Sequence, residues 1–155
     1  MGGVKVRIAD LNDPRVATLI ETHAASARAQ TGRGSAHALD LADLRTPGTT
    51  VWAAWLRGSP LGVAALRRIS HDHGEVKSMH TTEAARRSGV GRALLGQLIS
   101  VARSEGLARL SLETGSWPYF EPARAFYASY GFVECGPFGD YALDPNSVFM
   151  TLALP

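Results

Sequence analysis

The sequence is short of cysteine, of lysine and of long apolar runs. Cys135 is the single cysteine in 155 residues. An intrachain disulfide and a cysteine-based zinc cluster are therefore excluded, and a reducing, cytoplasmic setting is expected. No apolar stretch approaches the roughly 18–20 residues of a membrane span. The start, Met1-Gly2-Gly3-Val4-Lys5-Val6, has neither the apolar core of a signal peptide nor the Ser or Thr at position 6 that myristoylation wants. No membrane attachment is expected. The net charge is only +2, from 16 Lys+Arg against 14 Asp+Glu, too little to point to a nucleic-acid partner. There are no internal repeats and no linker that would split the chain, so a single domain over residues 1–155 is expected. A chain of this size buries roughly 68–70% of its unfolded surface and needs no disulfide or metal to hold a core. Lys5 and Lys77 are the only lysines, so fourteen of the 16 basic residues are Arg. Arginine suits forked contacts to phosphate and carboxylate, and where the arginines gather decides whether the excess means anything.

The apolar pattern supplies the elements. Val4, Val6 and Ile8 alternate with Lys5 and Arg7 as a short strand. A helix follows from Pro14, with Val16, Leu19, Ile20 and His23 at helical spacing. It fades into the flexible composition of Gln30 to Ser35, and a short helical piece runs from Leu39 to Leu44. Three strands come next: Thr49 to Leu56, Leu61 to Ile69 and Glu75 to Thr81. The turns Gly58-Ser59-Pro60 and His71-Asp72-His73-Gly74 join them into an antiparallel meander. A long helix from Gly89 to Glu105 ends at Gly106. Its length favours a parallel pairing of the strands on either side, the second being Leu107 to Thr114. A helix over Pro122 to Tyr130, stopped by Gly131, and strands from Phe132 to Cys135 and from Ser147 to Leu154 complete an α+β chain, a mixed sheet with helices against it.

The strongest local signal is Arg86-Arg87-Ser88-Gly89-Val90-Gly91-Arg92, between an apolar strand and an amphipathic helix. Glycines there let a ligand approach the backbone. The free N–H groups of the helix's first turn and its dipole favour an anion such as phosphate. Arg86, Arg87 and Arg92 add charge and forked donors. No Gly-Lys-Ser/Thr follows, so this is not a Walker loop. The third glycine and later acidic residue of a dinucleotide fingerprint are missing too.

Arg86-x-x-Gly89-x-Gly91 resembles the acyl-CoA pyrophosphate loop of the GNAT family of N-acetyltransferases. Phe126-Tyr127-x-x-Tyr130-Gly131-Phe132 is similar to that family's second signature, and Ala123 matches a small residue beside the pantetheine arm. Strand order agrees over essentially the whole chain. Leu112-Glu113-Thr114-Gly115, Cys135-Gly136-Pro137-Phe138 and Asp144-Pro145-Asn146-Ser147-Val148-Phe149-Met150 resemble a subgroup of small bacterial acetyltransferases. Phe120 departs from the pattern, standing where many members carry Asn before the last helix.

The resemblance implies a three-layer fold with helices on both faces of a mostly antiparallel sheet, and a central parallel strand pair that splays. It implies acetyl-CoA as cofactor, an amine of a small molecule or peptide as acceptor, and direct attack of that amine on the thioester within a ternary complex. Residues 86–92, with Ser88 and Val90 among them, would hold the pyrophosphate. Backbone N–H groups at Met79, His80 and Thr81 would polarise the carbonyl. Tyr127 would protonate the departing thiolate, its ordinary pKa of about 10 lying near a thiol's 8.5. The base that deprotonates the ammonium is left between Glu75, at the start of the central strand, and Glu113, which leaves the apolar face of Leu110 and Leu112. A relayed water would replace both. Their plain readings are a solvated turn carboxylate for Glu75 and an arginine partner for Glu113. A homodimer through an edge strand is an arrangement the family also allows. The rival to an enzyme is a non-catalytic acyl-CoA-binding sensory domain.

The other candidates are weaker. His71 and His73 have metal-like spacing but lack a third ligand, so they read as turn histidines and no metal is expected. His37 and Trp117 are candidate substrate contacts: His37 in the early helical region, and Trp117 in the loop with Tyr119 and Phe120, with a capping aromatic cluster as the alternative for the latter. Trp52 and Trp55 read as core, and Cys135 as a small buried hydrophobe.

Overall fold

The computed structural model describes residues 3–29, 41–82, 85 and 88–155. The strands are β1 (Lys5–Ile8), β2 (Thr49–Leu56), β3 (Ser59–Arg68), β4 (His73–Thr81), β5 (Arg109–Gly115), β6 (Val133–Cys135) and β7 (Ser147–Ala153). The helices are α1 (Pro14–Ala29), α2 (Val90–Ser104) and α3 (Glu121–Ser129). The seven strands form one sheet in the order β1-β2-β3-β4-β5-β7-β6. β4 and β5 pair in parallel, as the helix-sized link between them requires, while the remaining pairings are antiparallel.

Both faces of the sheet are covered, and β2 and the middle of β3 accordingly read as near-continuous apolar runs. Along β2, Val51 and Ala53 join Val16, Leu19 and Ile20 of α1 in one core cluster. The alternating Trp52 and Ala54 join Leu94, Leu95 and Leu98 of α2 and Tyr127 of α3 in the other. Gly62 lets α2 lie close on β3: a Cβ there would come within 2.7 Å of Val90 Cγ1 and 3.0 Å of Leu94 Cδ1. Among the described residues no helix is long and apolar enough to cross a membrane.

Element boundaries differ from the sequence expectation in two informative places. The β2–β3 turn is Arg57-Gly58, with φ of 53° and 80°, and Ser59 and Pro60 already belong to β3. A two-residue hairpin turn with both centres left-handed matches the strand twist. The other difference is His73, expected in a turn and found in β4. His73 and Gly74 pair with Arg109 and Leu110 of the parallel neighbour, and His73 Nε2 lies 2.7 Å from Ser111 Oγ on it. His71 is exposed, as expected. The short helical piece expected from Leu39 appears as a 3-10 turn over Asp43–Arg45; residues 39 and 40 lie outside the described residues.

The functional geometry starts at a bulge. Val63 pairs with His80 and Ala65 with Lys77, so two steps on β3 face three on β4. Ser78 takes the extra place with φ of 52° and re-aims the strand. The β4–β5 pairing ends at Val76 opposite Leu112, whereas β5 stays paired with β7 as far as Gly115. From Lys77 onward the two central strands diverge, over the segment Met79 to Thr81 expected to splay.

Candidate active site

The helix α2 starts beside this gap. Gly89 is its N-cap at φ 88°, with no side-chain cap, and a Cβ added there would meet nothing within 4 Å. The first helical bond runs from Ala93 N to Gly89 O at 2.9 Å. The N–H groups of Val90, Gly91 and Arg92 therefore point out of the helix end without an intrahelical acceptor. A Cβ on Gly91 would sit 3.5 Å from Phe126, 3.7 Å from Thr81 and 3.8 Å from Met79. That glycine thus joins the helix start to the diverging end of β4 and to α3. Arg92 is exposed beside it, and Ser88 is tied back to Ala85 O through its hydroxyl. Arg86 and Arg87 lie outside the described residues, as does His37.

Tyr127 lies on the same sheet face as α2. Its ring packs against Phe126 and Phe132 at 5.6 and 5.7 Å between centroids. Burial holds its hydroxyl protonated well above the ordinary tyrosine range, and no described residue takes a hydrogen bond from it. Ala123, one helical turn earlier, is half-buried on the same side. Phe120, the departure from the family pattern, makes no side-chain cap to α3. Instead its ring covers Gly115, where a Cβ would come within 2.1 Å of Phe120 Cδ2. Arg124 ties the same corner, its guanidinium donating to Gly115 O at 2.6 Å and to Trp117 O at 3.2 Å.

The opposite face of the gap carries the carboxylates. Ala65 and Arg67 of β3 pair with Lys77 and Glu75, which places both charged residues on the α1 side. Glu75 is not a solvated turn residue: it is 3% exposed, and Lys77 is 7% exposed. Lys77 Nζ donates to Glu75 Oε2 at 3.2 Å, and Tyr141 OH donates to the same oxygen at 2.6 Å. Desolvation, then the Glu75 charge beside it, pushes the Tyr141 hydroxyl far above its usual range. Glu113 is half-buried and accepts from Ser147 Oγ at 2.6 Å. Trp117 is 42% exposed, its indole N–H donating to Asn146 Oδ1 at 2.6 Å.

His80 stacks on His23 of α1, 4.9 Å between centroids. Burial, then the neighbouring His80, lowers the His23 pKa from 6.5 to about 4. The folded chain thus binds the His23 proton less readily than the unfolded chain. Its stabilising share is complete above pH 6.5, falls as the pH drops toward about 4, and is constant below. Urea unfolding at pH 7 and pH 4.5 should show a loss of about 2 kcal/mol that His23→Gln removes.

Lys77 and Tyr141 were not singled out by the sequence. A signal existed for Lys77: Glu75-x-Lys77 puts opposite charges on one face of a strand whose other face, through Val76, is apolar. None existed for Tyr141, which lies 66 residues from Glu75.

The sequence model of the Acetyltransferase (GNAT) family matches residues 17–132. The chain is 45% identical to the uncharacterized N-acetyltransferase YsnE of Bacillus subtilis, over 96% of this chain and 99% of that protein. It is 39% identical to the uncharacterized N-acetyltransferase YedL of Escherichia coli, over 96% of this chain and 94% of that one. A Klebsiella pneumoniae structure described as a candidate acyl-CoA N-acyltransferase superposes with a TM-score of 0.82 at 26% identity, covering 97% of each chain. Family signatures at the α2 start and in α3, the splayed parallel pair and these matches converge, and the chain belongs to the GNAT family of acyl-CoA-dependent N-acetyltransferases.

Proposed function

We propose that the protein moves the acetyl group of acetyl-CoA to a primary amine of a small molecule or peptide, by direct attack within a ternary complex. One observation carries the proposal. The gap that opens between β4 and β5 beyond Val76 joins a face bearing the α2 start and Tyr127 to a face bearing Glu113. The residues present fit the cofactor. Three outward N–H groups at Val90 to Arg92 and the open space over Gly89 suit a diphosphate. At the β4 bulge, the buried Ser78 hydroxyl has no partner among the described residues.

When bound, acetyl-CoA supplies an activated acyl group on a thiol leaving group. The α2 start holds its diphosphate, with Arg92 as a charged donor alongside. Backbone N–H groups at the bulged end of β4, over Met79 to Thr81, face the place where carbonyl charge grows. Tyr127 keeps its proton at any working pH, and because burial moves its pKa away from the thiol's, its donation to the thiolate rests on placement beside the leaving group and not on a matched pKa. Glu113, held by Ser147 on the other face, takes the ammonium proton. The acceptor approaches from that face, past Trp117.

The test is turnover. The full-length protein is incubated with acetyl-CoA and a panel of amino acids, diamines and peptide N-termini, and released thiol is read. Acceptor-dependent thiol above the uncatalysed rate supports the proposal. CoA binding without turnover on any member contradicts it and favours a sensory domain.

A further inference from the structure

The connection between β6 and β7, residues 136–146, folds back over the sheet face opposite α2. Tyr141 and Phe138 stack on Phe149 at 5.6 and 5.9 Å between centroids. Tyr141 then reaches the central strand: its hydroxyl donates to Glu75 Oε2 at 2.6 Å and accepts from Lys77 Nζ. The ammonium also lies 5.2 Å from the centre of the Tyr141 ring. A buried ion pair seldom adds net stability over apolar residues of the same size, and its best-attested use is to fix one arrangement among several. Here the pair accepts one side chain from a long connection.

The far end of the same connection holds the acceptor side of the gap. Asp144 Oδ1 accepts from Asn146 N at 2.8 Å. Asn146 Oδ1 accepts from the Trp117 indole, Pro145 O accepts from Ser116 Oγ at 2.7 Å, and Ser147 Oγ donates to Glu113. The Asp144-Pro145-Asn146-Ser147 stretch thus clamps the proposed base and the proposed mouth residue, and Tyr141 anchors the arm leading into it.

We infer that Tyr141, seated on the buried Glu75–Lys77 pair, is a positioning residue for the acceptor, and that Glu75 serves this anchor and not as the general base. The inference rests on the proposed transfer reaction for its kinetic consequence but not for the anchor itself. Glu75 is sealed by the two groups it binds. Its carboxylate is 3% exposed and committed to an ammonium and a phenol, while Glu113 is half-buried at the edge of the gap, beside Ser147.

The test uses the full-length Tyr141→Phe protein, which keeps the ring and the Glu75–Lys77 pair and loses the hydroxyl's hydrogen bonds to both charged groups. Hydrogen–deuterium exchange needs no acceptor. Peptides covering residues 136–146 should exchange at least about tenfold faster than in the wild type, since a single charge-assisted hydrogen bond is already on that scale. Peptides from α2 and the affinity for CoA should not change. With a panel amine that turns over, the acceptor KM should rise about tenfold while kcat at saturation stays within about threefold. Glu75→Gln should show the same KM-weighted pattern and keep the acidic limb of the pH profile. Unchanged exchange at 136–146 in Tyr141→Phe overturns the anchor. Loss of kcat and of the acidic limb in Glu75→Gln, with KM intact, overturns the reassignment and makes Glu75 the base. If no panel amine is turned over, the transfer proposal fails by itself, and the exchange result still decides the anchor.

Discussion

Replacing Tyr127 by phenylalanine should lower kcat by about two to three orders of magnitude, the usual scale for removing a positioned general acid. The affinity for acetyl-CoA should stay within about twofold. The ring contacts with Phe126 and Phe132 survive the change, so the helix should remain seated on the sheet. The lost hydroxyl gives no hydrogen bond to any described residue, so its removal leaves none of the described residues without a partner. A thermal scan alongside the kinetics separates the two roles of this residue. An unchanged or raised Tm with collapsed kcat identifies the hydroxyl as chemical. Retained kcat would mean that Tyr127 only packs α3 on the core. The direction of its pKa adds a second signature. Burial moves ionisation well above the ordinary value of 10, so the pH profile should have no descending limb from this residue below pH 10.

The second large effect is on stability. Lys77→Met should destabilise the fold by about 3 kcal/mol or more, because it leaves the Glu75 carboxylate buried without its ammonium. The double variant Lys77→Met with Glu75→Leu should recover most of the loss, since it removes both charges from the interior. Urea unfolding of the two variants and of the parent reads this directly. Near-equal stability of parent and Lys77→Met would show that the pair is solvated in solution. A uniform loss in single and double variants would show that packing volume, not charge, is at stake.

How much was legible beforehand follows from range in the chain. The strands β2 and β3 and the helix α2 were readable because their apolar periods are strong and glycines punctuate them. Gly58, Gly89, Gly106 and Gly131 all take positive φ at element ends, where only glycine is comfortable. The bulge position was not readable. Ser78 adopts φ of 52° without being glycine, and nothing local in Lys77-Ser78-Met79 announces it. The extension of β4 to His73 depends on pairing with Arg109 of β5, on the far side of α2 in the chain. The same applies to the site. The anion-binding start of α2 and the place of Tyr127 are local motifs and were visible. The anchor of Glu75 and Lys77 needs Tyr141, and the clamp on Trp117 needs Asn146, 29 residues on. Phe120, which stands where many family members carry Asn, is explained by Gly115, whose lack of a side chain admits the ring.

The most direct test of the whole account is a crystal structure of the protein with acetyl-CoA. The account predicts the diphosphate on the N–H groups of Val90, Gly91 and Arg92, the thioester between the diverging ends of β4 and β5, its sulfur within hydrogen-bonding reach of the Tyr127 hydroxyl, and open access to its carbonyl carbon from the Glu113 face. A diphosphate bound away from the α2 start, or a thioester that leaves the β4–β5 gap empty, would contradict it.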